Sequence, residues 1–157
     1  MTPLLVSACL LGLNTRYNAE TKMNRQVLDL LKREDVLPVP VCPEQLAGFS
    51  TPRPSCQFSC GTGEQAWHGK ATLHNARGEE VTEQFKMGAE QALHIAGLSH
   101  CRLALLKERS PSCATHAVHC NNALHPGMGV TAALLQQHGI QLFSEEELDK
   151  LAQILGN

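Results

Sequence analysis

Three cysteines, Cys9, Cys42 and Cys113, lie far apart along the chain, and each follows a short apolar run. Three thiols on separate loops do not match a zinc ribbon, whose ligands come in C-x-x-C pairs. They could instead supply three corners of an iron–sulfur cluster and leave one iron open, as a soft Lewis acid suited to sulfur. Free cysteines are also common as small buried side chains. Their positions alone leave both interpretations open.

Polar residues accompany the second and third of these cysteines. Glu44 follows Cys42 by two residues and could act as a general acid or base, or be a surface charge on a loop. Two cations and two hydroxyl groups precede Cys113, at Lys107, Arg109, Ser110 and Ser112. The hydroxyl groups could bind a polar substrate or cap a helix. The Gly-Met-Gly sequence at 127–129 could hold an anion at a helix N-terminus or form a plain turn.

The other four cysteines and the eight histidines enlarge the pool of metal ligands. A second, zinc-like site could form from Cys56, Cys60, His116, His119 and Cys120. Against it, no C-x-x-C pair is present, and histidine-rich loops are often simply solvated. Cys101 precedes an apolar run and is predicted to be structural.

The composition is that of one globular domain, residues 1–157, with 43% hydrophobic and 18% charged residues. A net charge of −2 and only 4% aromatic residues do not suit a protein that binds DNA or single-stranded nucleic acid, although a small nucleotide needs only a few cations. No apolar segment approaches a membrane span, and the start lacks the basic region of a signal peptide. We therefore expect a cytoplasmic protein, a monomer or weak homodimer, in which seven cysteines are not a disulfide framework.

Short apolar runs alternate with helical patterns along the chain. Strands are predicted at 4–8, 36–41, 102–106 and 140–143, and helices at 24–33, 83–96, 129–138 and from Ser144 to about Leu155. This alternation predicts an α/β fold, a single three-layer Rossmann-like domain with a small, mostly parallel sheet. Ligands of such sheets bind beyond the carboxyl ends of the strands, so the three thiols are expected to converge there.

The finer expectations concern caps and loops. Asn24 and Thr82 are predicted to be N-caps, Gly97 to end the second helix, and Ser144 with Glu147 to form a capping box. Residues 43–63 are predicted to be a long loop, residues 65–78 a hairpin, and residues 114–128 irregular.

Six ordered blocks, covering nearly the whole chain, resemble the thiouracil desulfidase family. They are Ser7–Gly12 with Arg16-Tyr17-Asn18, Pro40–Glu44, Thr51-Pro52-Arg53, Val81-Thr82 with Phe85 and Gly88-Ala89, Lys107 with Ser110–Cys113, and Gly127–Val130. The chain departs from the family pattern at Asn18-Ala19, Ala47-Gly48 and Ala114, where the family usually has Asp-Gly, Gly-Gly and Gly. These departures affect loop shape rather than ligands.

The resemblance implies a 4Fe–4S cluster bound by Cys9, Cys42 and Cys113, with one open iron acting as a Lewis acid. It implies removal of sulfur, without net redox change, from 4-thiouridine monophosphate, 4-thiouridine or 2-thiouracil, which yields the oxo product and hydrogen sulfide. On this hypothesis Glu44 deprotonates the attacking water, and Ser112 or Ser110 hydrogen-bonds the base or the developing charge. Arg53, Lys107 or Arg109 would hold a 5′-phosphate, and Ser7, Tyr17 and Gly129 are further candidates for substrate contact.

Two other functions remain open from the sequence. A non-catalytic iron–sulfur or zinc protein, acting as a sensor or carrier, would need a fourth ligand from Cys56, Cys60 or Cys120. An RNA-binding module acting on thiolated transfer RNA is disfavoured by the acidic balance and the few aromatic residues.

Overall fold

A computed structural model describes residues 1–156 of the chain. Its strands are β1 (Thr2–Ser7), β2 (Val36–Val41), β3 (Cys56–Cys60), β4 (Thr72–Asn75), β5 (Leu103–Leu106), β6 (Ala117–Cys120), β7 (Ala123–Pro126) and β8 (Gln141–Ser144). Its α-helices are α1 (Arg25–Leu30), α2 (Pro43–Leu46), α3 (Gly63–Ala66), α4 (Thr82–Leu98), α5 (Val130–Gln137) and α6 (Leu148–Gly156).

The first sheet has the strand order β2-β1-β5-β8, and every pairing in it is parallel. Alternate residues of β1 face opposite sides, as strand geometry requires. Leu4 packs in a cluster with Val27 of α1 and Leu151 of α6, whereas Leu5 packs with residues of α4 and α5 such as Ala92. The predicted three-layer α/β domain with a mostly parallel sheet is therefore confirmed.

The strand order reverses between β1 and β5, because the chain adds β2 on one side of β1 and β5 and β8 on the other. Open parallel sheets form a crevice at such a switch point, beyond the carboxyl ends of the strands. Pro38 and Pro40 interrupt β2, which is an edge strand, where a missing backbone donor is tolerated. The strands that precede Cys9, Cys42 and Cys113 are thus three neighbours, β1, β2 and β5.

A second sheet, with the order β4-β3-β6-β7, was not predicted from the sequence. The expectation of an irregular 114–128 segment is wrong, because β6 and β7 form an antiparallel hairpin. Its turn residues Asn121 and Asn122 have φ values of 50° and 65°, the left-handed region that asparagine tolerates. The long loop expected at 43–63 is also wrong, since α2 and β3 lie within it. β4 pairs with β3 rather than with a strand inside 65–78.

Several helix boundaries differ from expectation, and the largest difference is at α6, which begins at Leu148 rather than at Ser144. Helix α4 continues through Gly97 to Leu98, and the residue in the left-handed conformation is His100, with φ 57°. Thr82 is the first residue of α4 rather than its cap, because its hydroxyl group accepts a hydrogen bond from Leu73 N of β4 at 2.9 Å. Contacts with a neighbouring strand therefore override the local capping preference.

The predicted N-cap of α1 is present, since the Asn24 side chain accepts a hydrogen bond from Val27 N at 3.1 Å. The predicted capping box of α6 is wrong, because Ser144 ends β8 and α6 begins only at Leu148. Glu147 accepts a bond from Ser144 N at 3.4 Å, and the Ser144 hydroxyl group accepts one from Glu146 N at 3.1 Å, so these bonds stabilise the turn between β8 and α6. None of the helices within residues 1–156 is both long and apolar enough to span a bilayer.

Candidate active site

A cavity of about 950 Å³ lies at the carboxyl ends of β1, β2 and β5 and is also lined by residues of the second sheet. Cys9 reaches it from a short 3-10 helix, Ala8–Leu11, that directly follows β1. Cys42 reaches it as the N-cap residue of α2, and Cys113 reaches it from the loop after β5. The three cysteines that the sequence singled out therefore share one cavity.

Cys113 is buried, whereas Cys9 and Cys42 are half-buried, and the pKa of all three thiols is raised. Burial raises the pKa of the Cys9 thiol to about 11, although Lys107 acts in the opposite direction. Burial also raises the pKa of Cys42 and of Cys113, and the neighbouring thiols Cys42 and Cys9 add to the shift at Cys113. Because metals bind thiolates, holding three charged sulfurs at this depth requires a compensating cation.

These donors fit an iron–sulfur cluster better than a single ion. Sulfur-only donors are soft and suit iron–sulfur centres. Over the described range 1–156, no three His, Cys, Asp or Glu side chains converge closely enough to hold one metal ion. Iron–sulfur clusters are held by cysteine thiolates, which are the donors that this cavity supplies. Cys9, Cys42 and Cys113 are the residues that would hold such a cluster.

Glu44 lines the same cavity from α2 and is braced by Arg53. Arg53 Nε donates to Glu44 Oε1 at 3.1 Å, and the two side chains are 4% and 14% exposed. The Arg53 guanidinium also donates to Ser50 O, Thr51 Oγ1 and Thr15 O, so most of its five N–H groups are in use. Burial raises the pKa of Glu44 despite the nearby Arg53. Arg53 thus fixes the carboxyl group of Glu44. The contact of Arg53 with a phosphate stays a prediction.

The loop that carries Cys113 is fixed by two serine hydroxyl groups. Ser7 Oγ at the end of β1 accepts from Lys107 N at 2.9 Å, and the Ser7 hydroxyl group partly offsets the rise in the pKa of the Cys113 thiol. Ser110 Oγ accepts from Ser112 N at 3.2 Å and from Cys113 N at 3.1 Å. Ser7 and Ser110 both line the cavity.

Two of the predicted site residues lie behind this loop. Among the described residues, Ser112 and Gly129 are not part of the cavity lining. Ser112 is 1% exposed, and its carbonyl oxygen accepts from Thr131 N and Ala132 N at the start of α5. A Cβ on Gly129 would lie 2.4 Å from Ser112 C, so only glycine allows this approach. Both support the loop from behind, and their predicted contacts with substrate stay predictions.

Comparison with known proteins identifies the family. Residues 4–147 match the sequence model described as 2-thiouracil desulfurase. The chain belongs to the 2-thiouracil desulfurase family. It is 38% identical over 151 residues to the uncharacterized protein YbbK of Bacillus subtilis (strain 168), covering 94% of this chain and 99% of that protein.

A solved structure of the [4Fe-4S]-dependent thiouracil desulfidase TudS is also similar. It shares 38% sequence identity with this chain, has a TM-score of 0.84, and is covered to 99% in both chains. The resemblance noted from the sequence blocks is confirmed. The family and this match support a desulfidase function and a 4Fe–4S cluster for the chain.

The cations of this desulfurase cavity fall into two groups. Lys107 Nζ pairs with Glu145 at 2.9 Å, and Arg109 pairs with Glu146 at 2.7 Å. Arg16 and Lys22 also line the cavity, and within residues 1–156 neither has an acidic side chain at ion-pair distance. Tyr17 lies beside Arg16, whose guanidinium is 5.5 Å from the centre of its ring. From the sequence, Lys107 and Arg109 were predicted to contact a phosphate, whereas Arg16 and Lys22 were not. The feature that indicates Arg16 and Lys22 is their position in the loop after Cys9.

The second sheet supplies polar side chains to the cavity that were not predicted from the sequence. They include Gln57, His74, His119 and Asn122. Gln57 and Asn122 exchange two hydrogen bonds, of 2.9 and 2.8 Å, which hold the β6–β7 turn against β3. This side of the cavity therefore offers hydrogen-bond donors and acceptors.

The ligands of the suggested second metal site are separated. Cys56 lines the main cavity, and burial raises the pKa of its thiol to about 12. Cys60 is exposed at the end of β3, 4.0 Å from Lys70 O. His116 pairs with Glu108 at 3.3 Å instead of with a cysteine. Within the described part of the chain these residues form no group that could hold a metal ion. Cys101 is buried in the core, as expected of a structural residue.

Proposed function

We propose that the chain is an iron–sulfur-dependent desulfidase that converts thiolated uracil or uridine compounds to their oxo forms and releases hydrogen sulfide. The observation that carries the proposal is that three thiols, Cys9, Cys42 and Cys113, line one cavity together with the Arg53-braced carboxyl group of Glu44. Family membership and the match to TudS support it. Seven free cysteines fit a reducing compartment, which supports the cytoplasmic location expected from the sequence.

The reaction needs no electrons. One water replaces one sulfur: a C–O bond forms, the C–S bond breaks, and both water protons end on the released sulfide. A bound cluster with an open iron would supply Lewis acidity toward the thiocarbonyl sulfur. Glu44 would orient the water and take its proton, since its carboxyl group lies in the cavity and is held by Arg53 Nε. Ser110, whose hydroxyl group lines the cavity, would hydrogen-bond the pyrimidine.

The cavity favours a nucleotide over a free base. Its volume of about 950 Å³ lies at the upper end of the ~300–1,000 Å³ typical of small-molecule sites. Arg16 and Lys22 line it without a protein counterion among residues 1–156, and a phosphate would satisfy both charges. We therefore place 4-thiouridine monophosphate ahead of 4-thiouridine and 2-thiouracil as substrate. Lys107 and Arg109, which have carboxylate partners, would contribute less.

The test is anaerobic reconstitution with iron and sulfide, followed by assay of thiocarbonyl absorbance on the three compounds. We expect loss of absorbance with matching release of sulfide, fastest for the monophosphate. Glu44→Gln should keep the cluster and lose most of the rate, whereas Glu90→Gln, an exposed change on α4, should alter neither. A reconstituted brown protein that changes none of the three compounds would contradict the proposal.

The alternative of a closed, non-catalytic cluster depends on Cys56, since this fourth thiol also lines the cavity. Cys56 lies on β3 of the second sheet, whereas Cys9, Cys42 and Cys113 each follow a strand of the first sheet. This difference favours three ligands. Cys56→Ser should therefore retain the cluster as fully as Cys60→Ser, its exposed counterpart on the same strand. Loss of the cluster in Cys56→Ser alone would favour the sensor or carrier function.

A further inference from the structure

Glu108 is an almost fully buried carboxylate, 3% exposed, two residues after the end of β5. Its two oxygens accept hydrogen bonds from the segment that follows it. Oε1 accepts from His116 N and Ala117 N, each at 3.0 Å, and from Arg109 N at 3.4 Å. Oε2 accepts from Thr115 Oγ1 at 2.7 Å and from Thr115 N at 3.4 Å, and lies 3.3 Å from His116 Nδ1.

These donors flank the loop that carries Cys113. Arg109 precedes it, and Thr115, His116 and Ala117 follow it, so one carboxylate ties the two ends of residues 110–114 together. Glu108 is itself held in place, because its backbone N donates to Glu145 Oε2 at 2.8 Å. The three shortest hydrogen bonds to the carboxylate come from two backbone N–H groups and one hydroxyl group. Donors of both kinds need an acceptor once they are buried.

The remaining support for the loop comes from elsewhere. Ser110 Oγ bonds inside the loop, and α5 donates backbone bonds to Pro111 O and Ser112 O. Neither contact joins residue 109 to residues 115–117. Within the loop, Ala114 N donates to Ser110 O at 3.0 Å, and the carboxylate adds the tie between residue 109 and residues 115–117. Without it, the half-buried donors of residues 115–117 would lose their acceptor.

We propose that Glu108 is a positioning residue that holds the 110–114 loop in its ligand-binding conformation, so that the Cys113 thiol is in place before any metal group is loaded. The inference rests on the proposed function only in taking Cys113 as a ligand. The preorganisation belongs to the cluster-free chain and is tested there.

The experiment measures thiol alkylation in the reduced, cluster-free chain, with labelling at each cysteine quantified by peptide mass spectrometry. Cys113 and Cys101 are 4% and 6% exposed and lie in the same core cluster, so Cys101 serves as an internal reference for global opening. Glu108→Ala should raise the labelling rate of Cys113 relative to Cys101 by about fivefold to a hundredfold, as expected for losing buried hydrogen bonds.

Two milder variants give graded results. Glu108→Gln keeps one acceptor oxygen for His116 N and Ala117 N but presents an amide to Thr115. Its ratio of Cys113 labelling to Cys101 labelling should therefore lie between those of wild type and Glu108→Ala. Thr115→Val removes the 2.7 Å bond to Glu108 and the 2.8 Å bond between Thr115 Oγ1 and His116 Nδ1 but keeps the carboxylate, and should give a smaller rise than Glu108→Ala. Leu151→Ala, in the core on the other face of the sheet, is the control for stability and should change both cysteines alike.

In reconstituted protein the same order should appear in the rate at which a chelator removes iron. An unchanged Cys113-to-Cys101 ratio in a natively folded Glu108→Ala or Glu108→Gln chain would overturn the inference. Equal acceleration at both cysteines in all three loop variants would also overturn it, since it would mean only lower global stability. If wild type takes up no cluster, the proposed function fails, and the alkylation ratios still decide the role of Glu108.

Discussion

Gly88 on α4 is predicted to be essential for the position of two site residues it does not touch. Helix α4 packs against α2, and a Cβ on Gly88 would lie 2.2 Å from Pro43 O and 3.0 Å from Ala47 Cβ. Pro43 stands between Cys42 and Glu44, so any shift of this backbone moves both the thiol and the carboxyl group. Gly88→Ala should therefore displace a predicted ligand and the predicted base together.

The magnitude follows from two opposing effects. Alanine in a helix interior is favoured over glycine by about 1 kcal/mol. To restore van der Waals contact with Pro43 O, however, α2 must move by about 1 Å, and overpacking of this kind costs about 1–3 kcal/mol. Gly97→Ala is the matched control, because Gly97 lies on the same helix with no atom within 4 Å of the added Cβ. The free energies of unfolding of the two variants should differ by about 1–3 kcal/mol, with Gly97→Ala the more stable.

The assay is urea unfolding of both cluster-free variants, followed by reconstitution and desulfidation kinetics. A displacement of about 1 Å in a catalytic group can lower a rate about a hundredfold. We expect Gly88→Ala to lose most of its cluster or its rate, and Gly97→Ala to match wild type. Equal stability and equal activity of the two variants would refute the reasoning from the α2–α4 contact.

Three more predictions concern charged residues around the cavity. Burial alone would raise the pKa of Glu108, but hydrogen bonds from His116, Thr115 and Ala117 lower it from its ordinary 4.5 to about 2. In urea unfolding, wild type should be more stable than Glu108→Gln by about 2 kcal/mol after allowance for screening. This difference in free energy of unfolding should be complete above about pH 5 and fall as the pH drops toward 2. A pH-independent difference would contradict this. Arg16→Gln should raise the KM for 4-thiouridine monophosphate about tenfold and leave that for 2-thiouracil unchanged, whereas Arg77→Gln, on an exposed turn, should change neither. Arg53→Lys should lower kcat more than it raises KM, because lysine cannot reproduce the fork that fixes Glu44, and a pure KM effect would instead indicate contact with substrate.

The first sheet was predictable because buried parallel strands are short, nearly continuous apolar runs. Leu103–Leu106 is buried at every position, and β2 was located to the residue despite its two prolines. The cysteines were predictable for the same reason, since each follows one of these runs. Helix ends were less certain, because Thr82 and His100 take conformations set by neighbouring elements rather than by local preference.

The second sheet gave a much weaker signal. β3 buries only Phe58 fully, β7 is exposed throughout, and β3 meets β6 through the single pair Phe58 and Cys120. Such short strands lack the period-2 pattern on which sequence reasoning depends. Their pairing is set by the packing of the Phe58 cluster against α4 and α5, which only the folded chain reveals.

The roles of individual polar residues were the hardest to predict. Lys107 and Arg109 looked like free cations in the sequence, but Glu145 and Glu146 neutralise them because β8 lies beside β5. Glu108 was not singled out in the sequence, because its partners are mostly backbone N–H groups that no residue pattern encodes. Residue type indicated the chemistry of the site, whereas the pairing of its charges depended on tertiary contacts.

The central claim is that Cys9, Cys42 and Cys113 hold a cluster at which sulfur is removed from a thiolated uracil compound. The most direct measurement combines iron content and sulfide release from 4-thiouridine monophosphate on the same anaerobically reconstituted samples of wild type and the three single Cys→Ser variants. Wild type should carry about four irons per chain and release one sulfide for each thiocarbonyl lost, and each variant should lose both properties. A Cys113→Ser chain with full iron and full sulfide release, or an iron-loaded wild type that releases no sulfide, would contradict the account.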